Sequence, residues 1–311
     1  RGSSALPPHD RRAMAGDEGS GGDEVPGSPG DPLRGVSVHH LSHDLLDEVR
    51  GVGLGPEALV YQIEPLVIRP RGAGMRSPRS GRPGASYVAA LEGADHAGRA
   101  QYMLSYTWGY SVGDIVDALV QHCSTLTSPN DDQRRVYVWI CCLCINQHRV
   151  QEARAAGETV PFEEFQAAFG ERVRGIGNVL ALMMPWSAPR YITRAWCVFE
   201  LFTAVSESRS CSLTVLMPPD QAGSLCSALQ RGANSSELWE ALEQVRVEGA
   251  EASVPEDRER ILQLVESGPG CAHVNDIVRQ RLLRWFAGAA DAELARLLEE
   301  GGGLAGEKAA S

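Results

Sequence analysis

The chain has 311 residues, of which 43% are hydrophobic and 22% are charged, a composition typical of a globular protein with a sizeable core. Its formal net charge of −11 disfavours nucleic acids and anionic membranes as partners, because an acidic surface repels polyanions. No apolar run approaches the ~20 residues of a membrane span, and the N-terminus lacks the apolar core of a signal peptide. All eight cysteines lie between 123 and 271. Without an export signal, we expect free thiols and a cytoplasmic protein.

Two N-terminal regions precede the regular part of the pattern. Residues 1–35 hold eight glycines and five prolines with almost no large apolar residues, so we expect this segment to be disordered. Residues 36–101 form an N-terminal extension. Its predicted parts are an amphipathic helix at 39–50, a strand at 58–70 and a flexible, solvated Arg/Gly/Pro-rich loop at 71–85. An anion site is the alternative interpretation of this basic loop.

Strands and helices alternate over residues 102–218. The predicted strands are 102–106, 136–145, 177–186 and 211–218, and the predicted helices are 113–123, 161–173 and 194–207. This alternation predicts an α/β domain with a parallel sheet that is covered by helices on both faces.

The remainder of the chain has a helical pattern. Residues 219–300 predict a C-terminal helical subdomain with helices at 253–266, 276–286 and 291–300. The last residues, 301–311, are predicted to be a flexible tail.

The stretch VYVWICCLCINQH (136–148) places three cysteines within four positions. In the predicted strand, Cys141 and Cys142 point to opposite faces, so they could not share one zinc ion. A redox pair requires Cys-x-x-Cys at the start of a helix, which a strand does not offer. We therefore expect the cysteines to act as small apolar side chains in a covered strand.

The predicted strand ends bring polar and aromatic residues to one edge of the sheet. In an open parallel sheet, ligands bind beyond the carboxyl ends of the strands. Three segments reach that edge, namely 105–108, 146–148 and 185–187. They form either a binding site or ordinary loops.

The helix RAWCVFEL carries one carboxylate among apolar neighbours. Trp196 and Glu200 are four positions apart, so they lie on the same face of the helix. Glu200 either extends to solvent or lies in a cleft with a chemical role.

Three motifs occur in the order of a known family. YMLSYTWG (102–109) and WICCLCINQH (139–148) resemble the leading motifs of the heterokaryon-incompatibility (HET) domain, which is similar to the Toll/interleukin-1 receptor (TIR) domain. Residues 177–202 resemble the third strand and following helix of TIR domains, where a Trp precedes a Glu. The resemblance covers about 102–218 and implies a flavodoxin-like, TIR-like fold.

The resemblance implies a function as well. Many TIR domains hydrolyse the bond between nicotinamide and ribose in NAD, and they act in stress or self/non-self signalling and innate immunity. The resemblance implies that Glu200 is the catalytic residue. Nicotinamide leaves as a neutral molecule, so one carboxylate that stabilises an oxocarbenium-like ribose suffices. Trp108 and Trp196 would stack on the substrate, and Ser105, Tyr106 and Asn146 would hydrogen-bond it. NAD would be a substrate, and no cofactor is expected.

The alternative hypothesis is a catalytically inactive TIR/HET-like module that binds copies of itself or other TIR-like proteins. A Rossmann dehydrogenase is disfavoured, because no G-x-G-x-x-G loop follows the first strand. A metal-dependent hydrolase would need His/Asp/Glu clusters, and we find none: His122 and His148 are isolated. We therefore expect no metal ligands.

Overall fold

A computed structural model describes residues 25–126, 135–157, 162–206, 211–230, 235–252 and 254–309. Most of the predicted disordered segment, residues 1–24, lies outside the described residues. Residues 25–33 carry turns, and the first strand begins at Arg34, so the end of that segment has regular structure.

The fold is built on one six-stranded sheet. Its strands are β1 (Arg34–Ser37), β2 (Ala97–Arg99), β3 (Tyr102–Ser105), β4 (Tyr137–Ile140), β5 (Asn178–Leu182) and β6 (Ser212–Leu216), in the spatial order β2-β1-β4-β3-β5-β6. Strands β3 to β6 are mutually parallel, and their order in space is second, first, third, fourth. This strand order is consistent with a flavodoxin-like layout, so the predicted α/β class is confirmed, and the sheet is mostly parallel.

The N-terminal extension adds two strands to this sheet. β1 pairs antiparallel with β4, opposite Val138 and Tyr137, and β2 pairs antiparallel with β1. Neither strand is predicted from the sequence. Both are only three or four residues long, which is too short for the alternation that marks a strand.

Eleven helical segments cover the sheet in the described part of the chain. They are α1 (residues 38–51), α2 (residues 60–71), α3 (Val112–Leu126), α4 (Cys141–Cys144), α5 (Gln147–Ala156), α6 (Phe162–Ile176), α7 (Ala195–Ser206), α8 (Pro219–Gln230), α9 (Ser235–Glu243), α10 (Pro255–Ser267) and α11 (Cys271–Ala309). None of the described helices combines the length and the hydrophobicity of a transmembrane span.

The two faces of the sheet bury separate hydrophobic cores. On one face, α6, α7, α10 and α11 pack over side chains such as Met103 and Val179. On the other face, α1, α2 and α3 pack over Leu104 and Leu180. Successive residues of β3 and β5 thus enter opposite cores, as expected for strands that are covered on both sides.

The strand predicted at 58–70 is wrong, because residues 60–71 are helical. Val60, Ile63, Val67 and Ile68 are buried on one side, at spacings of three, seven and eight residues that match a helix. The loop at 71–85 that follows packs on the fold: Arg82 pairs with Glu152. Its flexibility stays a prediction.

The strand predicted at 136–145 ends early. β4 stops at Ile140, and Cys141–Cys144 form the short helix α4. A continuous apolar run does not distinguish a strand from a helical turn, since neither periodicity is visible in it.

The C-terminal helices predicted at 276–286 and 291–300 are one helix, α11. The residues between them, Ala287 to Ala290, include three alanines, which favour an uninterrupted helix despite Gly288. Residues 301–309, predicted as a flexible tail, continue this helix.

The contact between β1 and β4 yields the first prediction. A Cβ atom on Gly35 would lie 2.7 Å from the carbonyl oxygen of Val138, so Gly35→Ala must displace the strand. We expect a loss of about 1–3 kcal/mol in the free energy of unfolding, measured by urea denaturation.

Gly223→Ala is the matched control, because no atom lies within 4 Å of its added Cβ and it lies within α8. This change should be neutral or stabilise the protein by up to about 1 kcal/mol. Equal stability of Gly35→Ala and the wild type would contradict the pairing of β1 with β4.

Candidate functional site

The carboxyl ends of β3 and β5 lie side by side at one edge of the sheet, the position at which doubly wound folds have their binding crevice. The two strands are parallel neighbours. The helix that follows β3, α3, packs on one face of the sheet, and the helix that follows β5, α7, packs on the other. This divergence is a topological switch point, where doubly wound sheets bind their ligands.

Glu200 lies at this crevice inside an otherwise uncharged helix. It is the only charged residue of α7, and 7% of its surface is exposed. Its Oε2 contacts the Oγ of Ser105, the last residue of β3. The carboxyl group therefore does not extend into bulk solvent.

A chain of buried hydrogen bonds continues from Glu200. Ser105 Oγ lies 2.7 Å from the hydroxyl of Tyr191, which donates to the carbonyl of Cys197 at 3.0 Å. If Glu200 were ionised, the single proton of Ser105 would go to the carboxylate, and the contact between Ser105 and Tyr191 would have no proton. A protonated Glu200 supplies the missing proton, so that each of the three contacts has one donor.

The electrostatics agree with this proton count. Burial raises the pKa of Glu200 to about 8, and the hydrogen bond with Ser105 lowers it only in part. Burial also holds the pKa of Tyr191 well above its ordinary value, so the phenol keeps its proton. Glu200 is therefore mainly a neutral carboxylic acid at pH 7.

Tyr106 and Trp108 form a second group around Cys141. Trp108 Nε1 donates to Cys141 Sγ at 3.4 Å, and Cys141 Sγ lies 3.5 Å from the Tyr106 hydroxyl. Cys197 Sγ contacts the backbone carbonyl of Tyr106 at 3.4 Å. Because the carbonyl of Cys197 also accepts from Tyr191, this residue joins the second group to the hydrogen-bond chain of Glu200. The structure thus brings together four of the six predicted site residues: Ser105, Tyr106, Trp108 and Glu200.

Trp196 does not flank the crevice. Its ring packs 5.8 Å from Phe162 and 5.7 Å from Phe199, within an aromatic cluster of the core. The four-residue spacing from Glu200 places both residues on neighbouring turns, but the indole contributes to packing.

Asn146 lies elsewhere too. Its side chain caps α5 by accepting from the amide of His148, and its Nδ2 donates to the carbonyl of Gly84 at 3.0 Å. It lines a cavity of about 40 Å³ beside the loop at 71–85. Its described contacts therefore fasten that loop to the sheet edge and do not reach Glu200.

The cysteines of α4 require a correction. Because this segment is helical, Cys141 and Cys144 do form a Cys-x-x-Cys spacing at the start of a helix. Burial raises the pKa of Cys141 to about 11 and that of Cys144 to about 12. Both remain protonated thiols at neutral pH, so the packing role expected from the sequence is supported and a reactive redox pair is not.

The described cavities lie away from the hydrogen-bonded residues Glu200, Ser105 and Tyr191. Four of them, with volumes from about 40 to 750 Å³, are formed between other parts of the described chain. Neither Glu200 nor Ser105 lines any of these four. Because only 7% of the surface of Glu200 is exposed, its carboxyl group offers little access to a ligand in this conformation.

Tyr191 belongs to the hydrogen-bond chain of Glu200 but is not among the site residues predicted from the sequence. It lies in a short 3₁₀ turn, Arg190–Thr193, within the PRYITRAW segment. The available signal is a tyrosine four positions before the start of α7 and nine positions before Glu200. Its partner Ser105 is 86 positions away, which no local pattern reveals.

Comparisons of the chain with protein-family models, with curated proteins and with solved structures gave no match. The TIR/HET resemblance therefore stays a prediction from three sequence motifs.

The raised pKa of Glu200 predicts how stability changes with pH. Between the ordinary pKa of the unfolded chain and about 8, the folded protein holds a proton that the unfolded chain has lost. Stability therefore falls as pH rises through this window, by up to about 1.4 kcal/mol per pH unit from this group. Urea unfolding from pH 5 to 8 measures it.

Glu200→Gln is the matched variant, because the amide can still donate to Ser105 but does not titrate. Its stability relative to the wild type should increase steadily over the same pH range. Parallel stability profiles of the two proteins would contradict the assignment of a neutral Glu200.

Proposed function

We propose that the chain is a TIR/HET-like interaction module that associates with a second copy of itself. The observation that carries this proposal is an exposed apolar stripe on α11, formed by Leu283, Ala287, Ala290, Leu294 and Leu297. The three leucines are 44–56% exposed. Contiguous exposed apolar surface is typical of interaction sites.

The stripe has the spacing of a coiled coil. Its members are separated by four, three, four and three residues, which is the alternation of positions a and d in a heptad. The inward face of the same helix is occupied, because Val274, Val278 and Leu282 are buried in the core. The stripe lies on the opposite face, where a further helix can pack.

The flanking charges favour an antiparallel second copy. Arg284 and Asp291 are both exposed on one flank of the stripe, two turns apart. In an antiparallel pair, Leu283 would face the partner's Leu294, Ala287 would face the partner's Ala290, and Arg284 would reach the partner's Asp291. Large residues meet large ones, and each flanking charge meets its opposite.

The state of Glu200 supports this module over an enzyme. A neutral acid with little exposure, whose proton completes an internal chain of hydrogen bonds, is arranged for structural stability. An oxocarbenium-like ribose needs an ionised carboxylate within reach.

Sedimentation equilibrium of the full chain tests the association. We expect a monomer–dimer equilibrium that Leu294→Glu weakens at least tenfold, or about 1.4 kcal/mol, because a charge then replaces a buried leucine. Leu66→Glu is the control, since Leu66 is 51% exposed on α2, away from the stripe.

Charge reversal tests the orientation. Arg284→Glu should weaken the dimer, and the double variant Arg284→Glu/Asp291→Arg should restore it. A wild-type chain that stays monomeric at about 100 μM would exclude a dimer with a dissociation constant in or below this range.

NAD glycohydrolysis is the second candidate, favoured by the position of Glu200 and Ser105 at the switch point. Only the ionised carboxylate would stabilise the transition state, so nicotinamide release should rise with pH and level off above about 8. Release of nicotinamide from NAD, followed by chromatography, measures this rate.

Glu200→Gln should abolish this release if the second candidate is correct, since the amide cannot ionise. An equal rate in the variant would remove Glu200 from the chemistry. No release by the wild type at any pH, alone or associated, would leave the interaction module as the function.

A further inference from the structure

Three side chains of metal-ligating type meet where α1 approaches the loop before β2. His40 Nδ1 lies 3.0 Å from His96 Nδ1 and 3.3 Å from Asp44 Oδ2, and His96 Nδ1 lies 3.7 Å from Asp44 Oδ2. Among the described residues, these three form a group that could hold a metal ion. No local sequence pattern reveals this group, because His96 lies 56 positions from His40.

The separations match the coordination of one ion. A tetrahedral zinc ion with bonds of ~2.0–2.1 Å spaces its ligand atoms about 3.3 Å apart, and the three separations range from 3.0 to 3.7 Å. The His40 and His96 rings are nearly perpendicular, at 88°, so that both Nδ1 atoms can point at a common centre without clashing.

The surrounding hydrogen bonds orient His40 as a ligand. Tyr87 donates its hydroxyl proton to Glu48 Oε2 at 3.0 Å, and Glu48 is paired with Arg71. The Tyr87 oxygen can therefore only accept from His40 Nε2, 2.8 Å away. In the neutral imidazole, this leaves a lone pair on Nδ1 that is directed at His96 and Asp44.

Such an outer hydrogen bond on the second ring nitrogen is the usual support of a metal-binding histidine. Ser37 fixes the ligand further, because its hydroxyl oxygen accepts from the His40 amide. Without an ion, His40 Nδ1 can accept a hydrogen bond from His96 Nδ1 at 3.0 Å, but the Asp44 carboxylate oxygen then lies 3.3 Å from the same acceptor with no proton between them, and the two acceptors repel each other. A cation between them removes that repulsion.

We propose that His40, Asp44 and His96 bind one divalent transition-metal ion, with zinc as the best match. Two imidazoles and one carboxylate suit Zn²⁺, whereas Ca²⁺ and Mg²⁺ prefer oxygen ligands. His40 is buried, but Asp44 and His96 are 43% and 38% exposed. The fourth position therefore opens to solvent, where a water molecule or an exogenous ligand completes the coordination.

The ion would connect segments that are distant in the chain. His40 and Asp44 belong to α1, one turn apart, and His96 immediately precedes β2. Binding would fasten β2, an edge strand of the sheet, to the first helix. It would stabilise the folded state by an amount that grows with the logarithm of the free metal concentration once that concentration exceeds Kd.

Calorimetric titration of the full chain with ZnCl₂, after treatment with EDTA, tests the proposal. We expect one ion per chain and a melting temperature that rises with Zn²⁺ concentration. His96→Gln and Asp44→Asn should each weaken zinc binding at least about tenfold. Loss of a residue that only hydrogen-bonds a metal ligand usually has an effect of about that size, and loss of the ligand itself should not have a smaller one. Cobalt substitution should give the visible absorption of a tetrahedral or five-coordinate ion.

His43→Gln is the matched control, because His43 lies on the same helix but is exposed, and its Nδ1 contacts the His39 carbonyl. It should bind zinc as the wild type does. Tyr87→Phe tests the outer support and should weaken binding by about 10–100-fold.

Two results would overturn the proposal. One is the absence of zinc binding by the wild type. The other is unchanged binding in both His96→Gln and Asp44→Asn, which would assign the metal to thiols among the eight free cysteines.

Discussion

The fold depends on the burial of Met103, Leu104 and Ser105, the last three residues of β3. This strand pairs with β4 on one edge and β5 on the other, and its side chains alternate between the two cores. Nothing polar can be tolerated along it without a partner, because each unpaired buried group would cost about 1–3 kcal/mol. The strand therefore ends in Ser105, whose hydroxyl is used by Tyr191 and Glu200.

The same requirement determines the chemistry of the sheet edge. A carboxyl group beside a strand that is covered on both faces is most stable when it keeps its proton and donates a hydrogen bond. The crevice at the switch point thus holds a closed set of hydrogen bonds, and the exposed features lie at the periphery, on α11 and around His96. Both proposed contacts with other molecules, the α11 stripe and the metal site, thus lie at the surface of the fold, away from this buried set of hydrogen bonds.

A feature of this fold can be predicted from the sequence when it depends on neighbouring residues, and it cannot when it depends on contacts between residues far apart in the chain. The parallel strands and α3, α6 and α7 were predictable, because their apolar periodicity is local. The helix at 60–71 is not predictable from its pattern, since its buried residues also fit a short apolar strand. β1 and β2 are not predictable either, because β1 is defined by pairing with β4, and β2 by pairing with β1. Glu200 stood out as an acid among apolar residues, but its neutral state depends on Ser105 and Tyr191, which only the tertiary structure brings near.

The antiparallel pairing of β1 has a consequence for how the chain can be divided. Residues 102–218 carry the family-like motifs, but without β1 the backbone of β4 would present an unpaired edge, which invites strand exchange and aggregation. The helices α1 and α2 also shield Leu104 and Leu180 from water. A shortened protein beginning at residue 102 would lose both protections together, so we expect it to be less stable and more prone to aggregation than the full chain.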